Sequence, residues 1–386
     1  MSLHTPSHSF TARLFLILAM LLPPLGASAA GPIPTPPELG ARSYILLDFA
    51  TGQVLAEQNA DEPVEPASLT KLMTAYLVFE ELSTGNLKLD DTLTVSERAW
   101  RMKGSRMFIE VNKQVRVDEL LQGMIVQSGN DASVALAEML AGTEETFANM
   151  MNRKAKELGM KNTHFMNSTG MPADNHMSTA RDIALLSTAL IREFPQYYAW
   201  YSQKEFEYND INQMNRNKLL WRDDSVDGLK TGYTKAAGYC LASSALRDGM
   251  RLVSVVMGTK SSKARIAASQ ALLNYGFRFF GTHRLYGANE SITNSRVWKG
   301  TAESLRLGLG RDMWITIPKG SYDDLDATVE MQPTIVAPIS KGQVLGRVTV
   351  KLGDKVLAEQ PLLSLDDVPE GNLWNRMRDG ALLWLE

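Results

Sequence analysis

The stretch PASLTKLMTAYLVF, Pro66 to Phe79, sets the strongest constraint on the fold. From Ser68 the apolar residues Leu69, Leu72, Met73, Tyr76, Leu77 and Phe79 recur at helical spacing. They cover so wide an arc that the helix must be buried nearly all round. A lysine, Lys71, stands inside this run, one turn after Ser68. At positions i and i+3 of a helix the two side chains lie along one face and can meet. Ser68 stands where free N–H groups and the helix dipole favour developing negative charge. The same dipole, and burial between Leu72 and Tyr76, disfavour a lysine cation, so a neutral Lys71 able to act as a base is expected near pH 7. The competing reading is a capping Ser68 with an exposed Lys71, and the S-x-x-K string alone does not separate the two.

The chain has 386 residues, room for two or three domains, and a net charge of −3 that argues against nucleic acid as a partner. Arg13 is followed by the apolar run LFLILAMLLPPL, Leu14 to Leu25, and then by Ala27-Ser28-Ala29, a small-x-small cleavage site. Residues 1–29 read as a secretory signal, with an apolar core too short to span a bilayer. The thin positive region keeps an uncleaved anchor as the minority reading. The lone cysteine, Cys240, rules out an intramolecular disulfide, so packing alone must hold the mature chain. Its apolar neighbourhood, GYCLASSAL, suits a buried thiol.

After a proline-rich lead-in, Gly31–Gly40, two strands are expected around Ala50-Thr51-Gly52-Gln53. Helices follow over Val117–Ala141, over TEETFANMMNRKAKELGM and over STARDIALLSTALI, the last with Thr179 and Asp182 shaped as a capping box. The segment VDGLKTGYTKAAGYCLASSALRDGMRLVSVVMGT reads as three strands, the last two joined at Arg247-Asp248-Gly249, and a helix runs from Ser262 to about Phe280. From 283 to about 368, short alternating runs between Gly, Pro and Asp predict a separate all-β domain. Residues 369–386 have helical spacing, with Leu373, Trp374, Met377, Ala381, Trp384 and Leu385 opposite Arg376, Arg378 and Asp379. Two readings stand for this tail: an amphipathic helix lying on a membrane, or a terminal helix docked on the β domain.

Two further strings accompany SLTK. QSGND supplies Ser128-Gly129-Asn130 and LKTGYT supplies Lys230-Thr231-Gly232. The order S-x-x-K, then S-x-N about sixty residues on, then K-T-G about a hundred later, is that of the penicillin-recognising serine hydrolases. With DEPVEPASLTKLMTAYL, MNRNKLLW and VDGLKTGYTKAAGYCLASSA, the chain resembles the low-molecular-mass D-alanyl-D-alanine carboxypeptidases, the class that includes penicillin-binding proteins 5 and 6. The resemblance covers nearly the whole mature chain. It implies an α+β fold: a catalytic domain, residues 30–282, of antiparallel sheet flanked by helices, then the small all-β domain, 283–368, and the C-terminal amphipathic helix. It also implies removal of the terminal D-alanine from peptidoglycan pentapeptide stems in the periplasm. β-Lactams would bind covalently, the tail would lie on the outer face of the inner membrane, and neither metal nor organic cofactor would be needed.

By that resemblance Ser68 is the nucleophile, Lys71 its general base, and Ser128 the relay of protons to the leaving amine. Asn130 holds the substrate amide. Lys230 keeps Ser128 and the site electropositive, Thr231 binds the terminal carboxylate, Arg216 supports that carboxylate pocket, and the backbone N–H groups of Ser68 and Tyr233 face the oxyanion. Gly232 leaves room for a substrate strand along the edge of its own strand. Position 233 is Tyr where relatives often carry His or Thr, and only its backbone is asked to work. The loop Ala99–Phe108 looks shorter than in familiar relatives.

Two rivals remain. A class A-like β-lactamase shares the three elements but needs a glutamate to activate the deacylating water. Glu145 to Asn149 fits an E-x-x-x-N string, yet its helical setting reads as a solvated helix face. A non-catalytic peptidoglycan-binding scaffold, with the β domain as its working part, would not need an intact constellation. With few histidines and no HExxH or G-x-S-x-G string, a zinc site or a Ser-His-Asp triad lacks support.

Overall fold

The structure is a computed structural model that describes residues 33–385. The secretory signal expected over residues 1–29 lies outside them. Five antiparallel strands form the central sheet: β1 (Ser43–Asp48), β2 (Val54–Gln58), β3 (Val226–Thr234), β4 (Gly238–Arg247) and β5 (Met250–Thr259), in the order β2-β1-β5-β4-β3. β4 and β5 are joined by the two-residue turn Asp248-Gly249, both with positive φ, the geometry that matches strand twist in a tight hairpin.

Every residue of β1 is buried, because both faces of the sheet are covered. Ile45 and Leu47 pack with the helical side, while Tyr44 and Leu46 pack with Leu272, Leu273 and Phe277 of a helix on the opposite face, Ser262–Phe279. The helical side holds α1 (Lys71–Thr84), α2 (Asn130–Ala141), α3 (Glu144–Glu157) and α4 (Ala180–Glu193). In α1 all residues from Lys71 to Phe79 are buried, as the width of its apolar arc required. The Ser262–Phe279 helix is α5 hereafter. Half of the expected capping box at Thr179 forms: its side chain accepts the Asp182 N–H, but the Asp182 carboxylate accepts the Asn162 N–H and the Thr163 hydroxyl instead of reaching back to the Thr179 backbone.

The chain passes from helix to strand at Phe279–Phe280. β6 (Phe280–Tyr286) pairs with β9 (Met313–Pro318). β7 (Ser291–Arg296), β8 (Ser304–Gly308), β10 (Leu325–Met331), β11 (Val344–Leu352) and β12 (Lys355–Ser364) form a second sheet in the order β7-β8-β12-β11-β10. Leu305, Leu307, Ile315, Val348 and Leu362 make its own core. Asp48 of β1 accepts the Thr282 hydroxyl, and Thr51 and Thr316 share a hydrogen bond of 2.7 Å, which ties the β6–β9 pair to β1 and the turn after it.

The last helix, α6 (Leu373–Leu385), is held by its polar side. The buried Asp379 carboxylate accepts the Lys299 N–H at 2.6 Å, and Arg378 pairs with Glu303 at 3.1 Å. The apolar side faces outward, with Trp374 74 % and Trp384 87 % exposed. A helix docked through its apolar face would show the reverse. No helix among the described residues is long and apolar enough to cross a membrane.

Candidate active site

Ser68 lies in a 3-10 turn, Ala67–Thr70, that runs straight into α1. Ala67 has φ +48, a left-handed conformation uncommon for a residue with a side chain. Gly170 packs against it so closely that a Cβ there would lie 1.7 Å from the Ala67 carbonyl oxygen. The serine is thus presented by a forced bend, not by a regular helical turn.

Lys71 is 1 % exposed, against the reading in which it points to solvent. Its Nζ reaches Ser68 Oγ at 3.1 Å, Asn130 Oδ1 at 2.7 Å and the Thr169 carbonyl at 2.6 Å. The last two contacts leave a neutral amine with both protons donated and a lone pair free for the serine proton. Burial pulls its pKa down from the ordinary lysine value to about 7; the charges of Asp131 and Glu144 oppose this and Arg216 adds to it.

A five-residue π-turn, Gly123–Gln127, precedes Ser128, whose φ of +68 turns the chain before α2 begins at Asn130. The turn aims the Ser128 hydroxyl at Lys230 Nζ, 2.8 Å away on β3. Lys230 is also buried. Desolvation first, then the cations Lys71, Arg216 and Arg265, hold its pKa well below the usual lysine range. Asn130 donates from Nδ2 to the Lys103 carbonyl at 2.7 Å, so its oxygen is left facing Lys71. Arg216 donates from Nε to the Gln127 carbonyl at 3.0 Å, beside the Ser128 turn.

β3 is an edge strand, so the backbone beyond Thr231 and Gly232 has no neighbouring strand. Gly232 also serves packing: a Cβ there would meet the Pro66 carbonyl at 3.1 Å and the Ala67 Cβ at 3.2 Å. Its bareness lets β3 approach the serine turn, a reason separate from room for a substrate strand. Tyr233 is 55 % exposed, with its ring 4.3 Å from that of Tyr239. Ser68, Lys71, Ser128, Asn130, Lys230 and the Arg216 charge therefore converge from the 3-10 turn, α1, the π-turn, α2, β3 and a connecting loop.

Three residues, Arg265, Asp131 and Glu144, escaped sequence reasoning, whereas His176, just ahead of MSTARD, reads from sequence as shaping its turn and not as a catalytic group. Arg265 of α5 is buried and donates to the Gly232 carbonyl at 3.2 Å and the Cys240 carbonyl at 3.5 Å. Asp131 and Glu144 are buried carboxylates near Lys71, although first-turn acids on helices ordinarily read as capping charges. His176 is buried and shares a hydrogen bond with Thr70 Oγ1 at 3.0 Å; burial holds its pKa at about 4, so the ring is neutral and structural. Glu145 and Asn149 lie exposed on α3, the solvated face expected for the E-x-x-x-N string. Cys240 is buried, its thiol pKa pushed up to about 11 by desolvation, which makes it inert.

A serine facing a buried lysine, with a second serine–lysine pair on a sheet edge, defines the penicillin-recognising serine hydrolases. The sequence profile of the D-alanyl-D-alanine carboxypeptidases matches residues 31–261, and that of the C-terminal domain of penicillin-binding protein 5 matches residues 280–370. The chain belongs to the D-alanyl-D-alanine carboxypeptidase family. D-alanyl-D-alanine carboxypeptidase DacC of Escherichia coli is 44 % identical over 355 residues, 90 % of this chain and 89 % of its own length, and DacA of the same organism is 43 % identical over a similar span. Penicillin-binding protein 5 of Haemophilus influenzae superposes with a TM-score of 0.82 at 42 % identity, covering 87 % of this chain and all of that one. The mixed helix-and-sheet fold, with a C-terminal β region and a final helix, follows that structure.

Proposed function

We propose that this protein is a serine-type D-Ala-D-Ala carboxypeptidase acting on peptidoglycan stems. The observation that carries the reading is the Lys71 amine, buried, with a pKa near 7, and 3.1 Å from Ser68 Oγ. Neutral Lys71 takes the Ser68 proton as Oγ attacks the penultimate D-Ala carbonyl. The backbone N–H groups of Ser68 and Tyr233 receive the oxyanion. Ser128, hydrogen-bonded to Lys230, passes its proton to the departing D-alanine nitrogen and takes in exchange the proton that Lys71 holds, so the C–N bond breaks and Lys71 is neutral again. The substrate carboxylate meets Thr231, Lys230 and Arg216, two cations and a hydroxyl suited to one negative charge. Asn130 orients the substrate amide, and Gly232 leaves the strand edge open. Water then attacks the acyl ester, giving a proton to Lys71, which hands it to Ser68 Oγ as the ester bond breaks and so restores both groups.

A β-lactam amide would acylate Ser68 by the same route. With Glu145 exposed on an outer helix face, nothing at that string favours β-lactamase turnover. Residues 1–29 direct export to the periplasm, and the outward apolar face of α6 rests on the inner membrane. Incubation with a diacetyl-Lys-D-Ala-D-Ala peptide tests the activity: free D-alanine is expected from the wild type and none from Ser68→Ala. Folded protein that binds penicillin yet releases no D-alanine would be a receptor and not a hydrolase.

A further inference from the structure

Two buried carboxylates flank Lys71, and each secures a chain segment that ends on one of the acceptors of its amine. Asp131, 1 % exposed, accepts the N–H groups of Met107 at 3.0 Å, Phe108 at 2.9 Å and Ile109 at 3.3 Å, besides that of Ala132 at 2.9 Å. The loop gathered this way, residues 103–109, returns the Lys103 carbonyl to Asn130 Nδ2 and the Ser105 carbonyl to the Asn130 N–H, both at 2.7 Å. It fixes the amide whose oxygen grips Lys71. Glu144, at the start of α3, accepts the Ser168 N–H at 3.0 Å and the Ser168 hydroxyl at 2.7 Å, and it pairs outward with Arg98. Thr74 of α1 donates to the Ser168 carbonyl at 2.7 Å, and the next carbonyl, Thr169, is the other grip on Lys71.

A capping acid directs its oxygens to its own helix. Asp131 directs most of its accepted bonds to a loop over twenty residues upstream, and Glu144 to a turn twenty-four residues downstream. We propose that Asp131 and Glu144 are positioning residues for Lys71, each fixing the segment that carries one of the acceptors of its amine. The inference rests on the hydrolase reading above and adds the means by which its base is held.

The two carboxylates also act through charge. Asp131 and Glu144 favour the Lys71 cation, and Arg216 opposes it. Lys230 is the other buried amine across the site, its charged form disfavoured by desolvation and then by Lys71, and His176 is neutral near pH 7. Removing either negative charge therefore lowers the pKa of Lys71 and keeps it a base to lower pH.

The test uses the full chain and the second-order rate of acylation by benzylpenicillin, followed as a function of pH for Asp131→Asn, Glu144→Gln and the exposed control Glu145→Gln. The first two are expected to lose about tenfold or more in plateau rate, with the acid limb displaced to lower pH by about one unit. Glu145→Gln is expected to match the wild type in both respects. Should Asp131→Asn fail to fold, Glu144→Gln carries the same comparison. A rate loss with an unmoved acid limb, a limb moved upward, or no change in either variant overturns the proposal. A wild type that is never acylated refutes the hydrolase reading instead.

Discussion

Replacing Gly170 by alanine probes the forced bend beneath Ser68. The backbone at Gly170 has φ +82, where an L-residue costs ~1–2 kcal/mol. The new methyl would lie 1.7 Å from the Ala67 carbonyl oxygen, whereas real Cβ contacts essentially never fall under 3.0 Å. The two segments must part by more than about 1 Å, and overpacking of this kind costs ~1–3 kcal/mol more. The sum, about 2–5 kcal/mol, corresponds to a fall in Tm on the order of 10 °C. Gly85→Ala is the matched control: its φ is +78 and nothing lies within 4 Å of the added carbon, so only the backbone cost of ~1–2 kcal/mol applies. The displaced segment carries Ser68 on one side and the Thr169 carbonyl that grips Lys71 on the other. An ångström of misplacement there is worth on the order of 100-fold in acylation rate. Calorimetry with penicillin acylation kinetics measures both effects. If Gly170→Ala and Gly85→Ala shift Tm equally and neither slows acylation, the bend does not position the serine.

Three other outcomes are expected. In the wild type, D-alanine release should rise through pH of about 7 as Lys71 loses its proton; the sign follows from the neutral amine being the working form, and a rate that falls through that range would exclude Lys71 as base. Glu145→Gln should leave the lifetime of the penicilloyl adduct unchanged within about twofold, whereas a long-lived adduct appearing only in that variant would point to a lactamase-type water activator. Trp374→Ser with Trp384→Ser should weaken sedimentation with phospholipid vesicles at least severalfold and with little salt dependence, since Arg376 and Arg378 are balanced by Glu370, Asp379 and Glu303; binding equal to the parent would remove α6 as the contact.

What the sequence disclosed follows from the range of its signals. The burial of α1 was legible because hydrophobic spacing is local, and so was the approach of Lys71 to Ser68, set by an i, i+3 interval. The hairpin at Asp248-Gly249 was legible from turn chemistry. The convergence of Ser128 and Lys230 depended on three strings in a familiar order, since no local rule places a β-strand lysine against a π-turn. Asp131 and Glu144 look like ordinary first-turn acids until the loops they hold are seen. Arg265 sits among Ser, Lys and Ala in a helix start that gives no sign of a buried cation. The side by which α6 attaches was beyond reach as well: it turns on the bond from Lys299 to Asp379, between residues eighty positions apart.

The central claim is that Ser68 is the alcohol activated by Lys71. Its most direct test is intact-mass spectrometry of the benzylpenicillin-treated protein, followed by peptide mapping. One penicilloyl group is expected per chain, on the peptide that contains Ser68, and none in Lys71→Met. An adduct carried by Ser128 or any other residue, or one formed at full rate without the Lys71 amine, would contradict it.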